Sequence, residues 1–273
     1  MRRINKASKP LCELLLITLA LTGCGLNKQN VDPTNVNQLA NMTESNTNLE
    51  TAAGTSSMRI KALEDTAMSL GAQGGLYWAS EKIDVRLEQD KRSLESIYNF
   101  NGMMLSHGVL PPVLVQGDFS LNLADPNTIR VADKTYKIVE QARFATAPPN
   151  WRDYLWMSYT KPEIPHKFLL PRDKDEGKIW AKAIHAGWEK GAQQAYEIYH
   201  QNLARLRRDF SGMILYRKLL QEKMISMPYV SRTELGVTGD GNDMRINDQV
   251  LRITELPQLQ TESNHWRAIV VKQ

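Results

Sequence analysis

The chain has 273 residues, 42% of them hydrophobic and 23% charged, which allows one large domain or two small ones with a sizeable core. Its formal charge of +4 is unevenly placed: four of the 34 basic residues (Arg2, Arg3, Lys6, Lys9) and one of the 30 acids (Glu13) precede Cys24, so the rest is close to neutral and a basic nucleic-acid-binding protein is not supported. Cys12 and Cys24 are the only cysteines, which excludes a thiol nucleophile, a cysteine-rich zinc site, an iron–sulfur cluster or an internal disulfide beyond residue 24.

A positively charged start is followed by the apolar run from Leu14 to Leu21. That run is about half the ~20 residues needed to span a bilayer as a helix, so it reads as the apolar region of a secretory signal over residues 1–23. It ends in Leu21-Thr22-Gly23-Cys24, which resembles the bacterial lipobox: a leucine, two small residues that fit the cleavage pocket, and the cysteine that receives diacylglycerol. The chemistry requires the sulfur, because a thiolate is the soft nucleophile that forms a stable thioether. Acylation at Cys24 is expected to anchor the mature chain. Gly25 stands where an aspartate would favour retention in the inner membrane, so the expected location is the periplasmic face of the outer membrane.

Residues 24–57 read as a lipidated, disordered tether. The stretch is rich in Asn, Thr, Gln and Ser, and its isolated Val31, Val36 and Leu39 offer too little apolar surface to offset backbone ordering. Residues 58–273 read as one periplasmic domain. Apolar positions recur at helical spacing from Met58 to Met104, but Gly71, Gly74 and Gly75 interrupt them, so two helices with a bend are expected. From Asp173 to Met224 there is no proline, and a stripe from Trp180 to Met224 repeats every ~3.7 residues, predicting one long helix with Asp173, Asp175 and Glu176 at its electropositive end. Gly187, Gly191, Ala192 and Ala195 make the first half of that stripe thin enough for close approach.

Two β-type blocks look alike. The segment Arg130 to Ile138 aligns on Arg245 to Ile253, and each follows an extended segment and a turn-rich spacer (Asp125-Pro-Asn127; Gly239 to Asp243). The aspartates Asp133 and Asp248 are read as lying in polar turns between strands. The fold class is α+β, with long helices flanked by two similar β-hairpin modules.

No catalytic constellation emerges. The five histidines lack the helical spacing of a zinc protease; His185 and His200 are ~22 Å apart along their helix. Ser158-Tyr-Thr-Lys161 matches a Ser-x-x-Lys motif, but Pro162 disfavours the helix that motif requires. Gly239 to Asp243 lacks the ligand spacing and terminal glutamate of a calcium loop and reads as a turn. No metal, cofactor or enzymatic activity is expected. Pro148 to Trp156 carries Trp151, Tyr154 and Trp156 in a loop-like stretch; they either plug the junction between the first β module and a helix or form an exposed aromatic interface.

Several segments in order are similar to the DotC family of type IVB secretion systems and the related transfer lipoproteins of conjugative plasmids. They include the lipobox at Cys24, Pro111-Pro112-Val113, Ile129 to Asp133, Tyr136-Lys137-Ile138, Gln141 to Phe144 and Pro148 to Leu155. Gly187-Trp188, Arg208 to Met213, Leu235 to Gly239 and Asp243 to Asp248 complete the set. The resemblance implies a structural lipoprotein of an outer-membrane core complex. Its partners would be a DotD-like lipoprotein and a DotH-like outer-membrane subunit in a multimeric assembly, with no direct contact to nucleic acid. The competing readings are a periplasmic lipoprotein hydrolase and a peptidoglycan- or ligand-binding periplasmic lipoprotein.

Overall fold

The computed structural model describes residues 31–43, 57–125 and 127–267. The leader, the lipobox with Cys24 and tether residues 25–30 and 44–56 lie outside the described residues. The order of elements from Asp32 onward is α1 (Val36–Ala40), α2 (Ser57–Gln89), α3 (Lys91–Ile97), β1 (Val109–Leu110), β2 (Val113–Asp125), β3 (Thr128–Glu140), β4 (Arg143–Phe144), α4 (Trp151–Leu155), α5 (Lys174–Gln221), β5 (Tyr229–Gly239) and β6 (Met244–Glu255). Each strand pairs antiparallel with one other: β1 with β4, β2 with β3 and β5 with β6. The molecule is α+β, two long packed helices carrying two hairpins.

Helix α5 runs for 48 residues, about 72 Å. It starts where the sequence predicts, because the Asp173 carboxylate accepts from the backbone N–H of Asp175 and Glu176. Helix α2 departs from expectation: it is continuous over 33 residues and passes straight through Gly71, Gly74 and Gly75. The cost of those glycines is offset because α5 lies directly against them. A Cβ on Gly71 would overlap the Ile184 carbonyl, one on Gly75 the Trp188 carbonyl, one on Gly187 the Met68 carbonyl and one on Gly191 the Ala72 carbonyl. The thin stripe predicted on α5 therefore meets a second thin stripe on α2, backbone against backbone. The other half of the pair is ordinary core, in which Ala79, Ile83, Leu87, Ala195, Leu206 and Met213 are buried with Phe100, Leu110, Val113, Trp151 and Leu155.

Residues 32–43 correct the tether reading. Asn35 caps α1 by accepting from the backbone of Asn37 and Gln38, and Leu39, Ala40 and Met42 are buried. The Trp180 indole N–H donates to the Leu39 carbonyl at 2.8 Å. Gly74 leaves the room, since a Cβ there would crowd the Leu39 side chain and the Pro33 carbonyl. A few apolar residues suffice because the slot on α2 and α5 is already shaped for them. Trp180→Phe, which removes the donor and leaves a buried carbonyl unpaired, is expected to raise hydrogen exchange at residues 35–42 about tenfold without lowering the protection of α5.

The hairpins also shift the expected turns. Asp133 and Asp248 lie inside strands, and the chain reverses instead between the paired Asp125 and Thr128 and at Asp240–Asp243. Asp240 makes the second reversal by accepting from the backbone of Asn242 and Asp243. The repeat itself is deeper than the aligned segments. In the first hairpin Val113 pairs Glu140 while Leu114 pairs Ile138; in the second Tyr229 pairs Glu255 while Val230 pairs Ile253. The same bulge thus opens both hairpins.

Both hairpins are rooted at the C-terminal end of α5. Leu114 is buried with Tyr216, Leu219 and Ile225, and Tyr136, Ile138, Met224 and Leu259 close over them. Gly212 admits the first root, because a Cβ there would stand 2.6 Å from the Leu114 carbonyl oxygen and from Val113 Cγ1. The second root is tied down by the Ile225–Leu259 bridge and by the Gln260 N–H donating to the Met224 carbonyl at 2.8 Å.

Candidate interaction surfaces

Three sequence-derived candidates, Trp151, Tyr154 and Trp156, occupy one short element. Asn150 and Asp153 form a reciprocal capping box that holds α4 as a single turn. That turn fixes three different fates. Trp151 is buried and belongs to the core rather than to a surface. Tyr154 stacks on Phe100 at 6.0 Å between ring centroids and lies under the Arg205 guanidinium at 5.2 Å. Burial, with the Asp209 carboxylate beside it, pushes the Tyr154 phenol far above its ordinary range. Only Trp156 is left well exposed.

Arg152 is the clasp of this element. Its guanidinium lies 4.3 Å from the centre of the Trp151 ring and makes ion pairs of 2.7 Å with Glu88 and 3.6 Å with Glu95. The Arg152 hydrogen bond holds the Glu88 carboxyl below its usual range. No sequence periodicity links these residues, because Glu88 and Arg152 are 64 positions apart and meet only when α4 lies across α2. Arg152→Ala is expected to lower stability by about 1–2 kcal/mol, read as a lower urea midpoint. Arg152→Lys should recover less than half of that, since an ammonium cannot replace the planar fork.

Trp156 borders a groove of about 490 Å³ together with Glu81, Asp84, Val85, Glu88 and Tyr159. Val85 and Tyr159 are exposed in it. Asp84 is buried at its floor, accepts from the Met157 backbone N–H at 3.3 Å, and burial pushes its carboxyl upward. The opposite side of α2 borders a second groove of about 380 Å³ with Lys82, Arg86, Tyr196, Tyr199 and His200 at its rim. Beside α4 runs the polar junction of hairpin and helix, in which Arg208 bridges Glu140 of β3 at 2.8 Å and buried Asp209 at 2.7 Å.

The remaining sequence candidates stay apart. Ser158 and Lys161 lie in an irregular stretch, not on a helix. Among the described residues no cluster of three or more His, Cys, Asp or Glu side chains could hold a metal ion, and no helix is long and apolar enough to cross a membrane. Cys24 and its lipobox residues Leu21, Thr22 and Gly23 are outside the described residues.

The described residues thus carry an aromatic side chain on a groove lined by Glu81, Asp84 and Glu88, and two hairpins near the C-terminal end of α5. Residues 57–268 match the family described as type IV secretory system, conjugal DNA-protein transfer, and the chain belongs to that family. The match takes in both long helices and both hairpins. No curated protein matches the chain.

Proposed function

We propose that this chain is a structural lipoprotein of the outer-membrane core of its type IV secretion machine, of the kind formed by the DotC proteins, and that it places and anchors other core subunits. Membership in a conjugal-transfer family supplies the machine. The observation that carries the finer reading is the lipobox Leu21-Thr22-Gly23-Cys24 directly after a short apolar leader. Acylation of Cys24 would hold the body at the periplasmic face of the outer membrane.

The body then works by contact. No nucleophile paired with a base is apparent among the described residues, and its surface features are those of a docking platform: exposed Trp156 on the acidic groove and two projecting hairpins. In this reading a second lipoprotein of the DotD kind and an outer-membrane subunit of the DotH kind are its partners. The test is affinity isolation of the full-length chain from detergent-solubilised membranes of cells that carry the complete system. Other secretion subunits are expected in fixed ratio to it. Recovery of the chain alone, or with peptidoglycan fragments and no subunit, would overturn the proposal.

A further inference from the structure

The groove beside Trp156 carries negative charge that the chain neutralises only at one end. Glu81, Asp84 and Glu88 are spaced three and four residues apart on α2, which puts the three carboxylates on one face of the helix. Glu88 is neutralised by Arg152 at 2.7 Å and Lys91 at 3.6 Å. Among the described residues, neither Glu81 nor Asp84 makes an ion pair. Asp84 is the more telling of the two, because it is only 9% exposed. The one hydrogen bond it accepts among the described residues comes from the Met157 backbone N–H at 3.3 Å. Burial, and then the like charge of Glu81, push its carboxyl upward. A carboxylate so deeply placed is ordinarily matched by a cation, and this one lines an open groove.

The walls of the groove restrict what can meet that charge. Val85 is 57% exposed and Trp156 42%, with Tyr159 beside them. A hydrated ion gains nothing from such walls, whereas a side chain with an apolar stem and a cationic tip covers them while its charge reaches the acids. Carboxylates three residues apart on a helix are separated by about 5–6 Å at Cβ, close enough for one guanidinium to meet both. A guanidinium also suits the aromatic wall better than an ammonium, since it is planar, weakly hydrated and stacks on an indole. The chain uses this arrangement itself at the other end of the same face. There Arg152 lies over the Trp151 ring at 4.3 Å while it pairs with Glu88.

We infer that the groove between α2 and residues 156–159 receives a basic segment of another secretion subunit, with an arginine side chain laid against Trp156 and its guanidinium on Glu81 and Asp84. The inference rests on the proposed docking role and names the chemistry of the partner. It also accounts for the buried charge: Asp84 is left without a cation in the single chain and gains one in the assembly.

The test uses the full-length chain in cells that carry the complete system. Tyr159 is replaced by the photo-cross-linker p-benzoylphenylalanine, the cells are irradiated, and the attached peptide is sequenced by mass spectrometry. The expected product is an arginine-containing peptide of another secretion subunit. Glu81→Lys, a change at the exposed rim, and Asp84→Asn are each expected to lower its yield at least tenfold. Asp84→Asn should leave the urea midpoint of the purified chain unchanged or higher, because it removes a buried charge and keeps an acceptor for Met157. Changing the captured arginine to glutamate should restore the cross-link to the Glu81→Lys chain. The inference is overturned by a captured peptide without arginine, by a product with lipid, peptidoglycan or a second copy of this chain, or by yields indifferent to both substitutions. Failure of the charge exchange overturns it as well. A separate readout keeps the two claims apart. If other subunits co-isolate with the chain while residue 159 captures none, the docking role stands and the groove has no part in it; if none co-isolates with the natural chain, the role itself falls.

Discussion

Gly191→Ala is expected to destabilise the protein by at least ~3 kcal/mol, whereas Gly177→Ala, fourteen residues earlier on the same helix, is expected to stabilise it by up to ~1 kcal/mol. The chemical change is identical, so the contrast isolates packing. A methyl group at Gly177 meets open space, and its gain is the helix propensity of alanine over glycine together with the restriction of the unfolded chain. A methyl at Gly191 overlaps the Ala72 carbonyl, which is backbone and cannot rotate away. Relieving the clash means separating α2 from α5 along a seam where Gly71, Gly75 and Gly187 hold equally close contacts. For a body of this size the loss corresponds to a fall in Tm on the order of 10 °C, measured by far-ultraviolet circular dichroism. Equal Tm changes of one sign for the two variants would show that the helices are not in backbone contact.

Glu176→Gln is expected to cost about 3 kcal/mol at neutral pH, and the cost is expected to shrink as pH falls below the ordinary carboxyl value of 4.5. Glu176 is buried at the start of α5 and is gripped from three sides. Arg59 of α2 donates to both carboxylate oxygens, at 2.7 Å and 2.9 Å, and the Arg172 backbone N–H donates at 3.0 Å. Arg59 also ties in the carbonyls of Phe168 and Leu170. The Arg59 hydrogen bonds, opposed by burial, hold the Glu176 carboxyl below its ordinary value of 4.5. A carboxyl depressed in the folded state binds its proton more readily when unfolded. Its stabilisation is therefore complete above the ordinary value and is lost as pH falls through the folded one. Chemical denaturation of both proteins from pH 7 to pH 3 should show a gap that is constant above the ordinary carboxyl value and narrows toward the acid end. A constant gap across that range would mean that charge at Glu176 plays no part.

The sequence discloses what a single element determines for itself. The stripe on α5 and its Asp173 cap are periodic and local, so the helix and its start are legible. The α+β class follows from the two blocks of alternating residues, and the family resemblance follows from strings spread over the same region. What stays hidden depends on a second element. Gly71 and Gly75 read as breaks until α5 supplies the carbonyls that fill their place. Asp133 and Asp248 read as turn residues because aspartate favours turns, although Asp133 lies inside β3 and Asp248 pairs with Gly236 at a register shift inside the β5–β6 ladder. Asn35 followed by Val36, Leu39 and Ala40 is a cap and half a turn of apolar face, a signal present in the chain and too brief to outweigh its polar surroundings. For the surfaces, the sequence marks an aromatic segment, but it cannot sort Trp151 into the core and Trp156 to the groove, since that division is made by Arg152 reaching Glu88. The apolar positions of the hairpins are visible as alternation, and only the three-dimensional arrangement reveals that Leu114 is buried while Leu121, Val131, Val237 and Ile246 are exposed.

The central claim is that an acyl chain on Cys24 holds a body that acts by joining subunits. It is tested most directly by measuring conjugal transfer in cells that lack the chromosomal or plasmid copy and carry either the natural chain or Cys24→Ser. The account predicts that Cys24→Ser protein accumulates folded, leaves the outer-membrane fraction and supports transfer no better than the empty vector. Transfer at the natural frequency by a Cys24→Ser protein without lipid would contradict it.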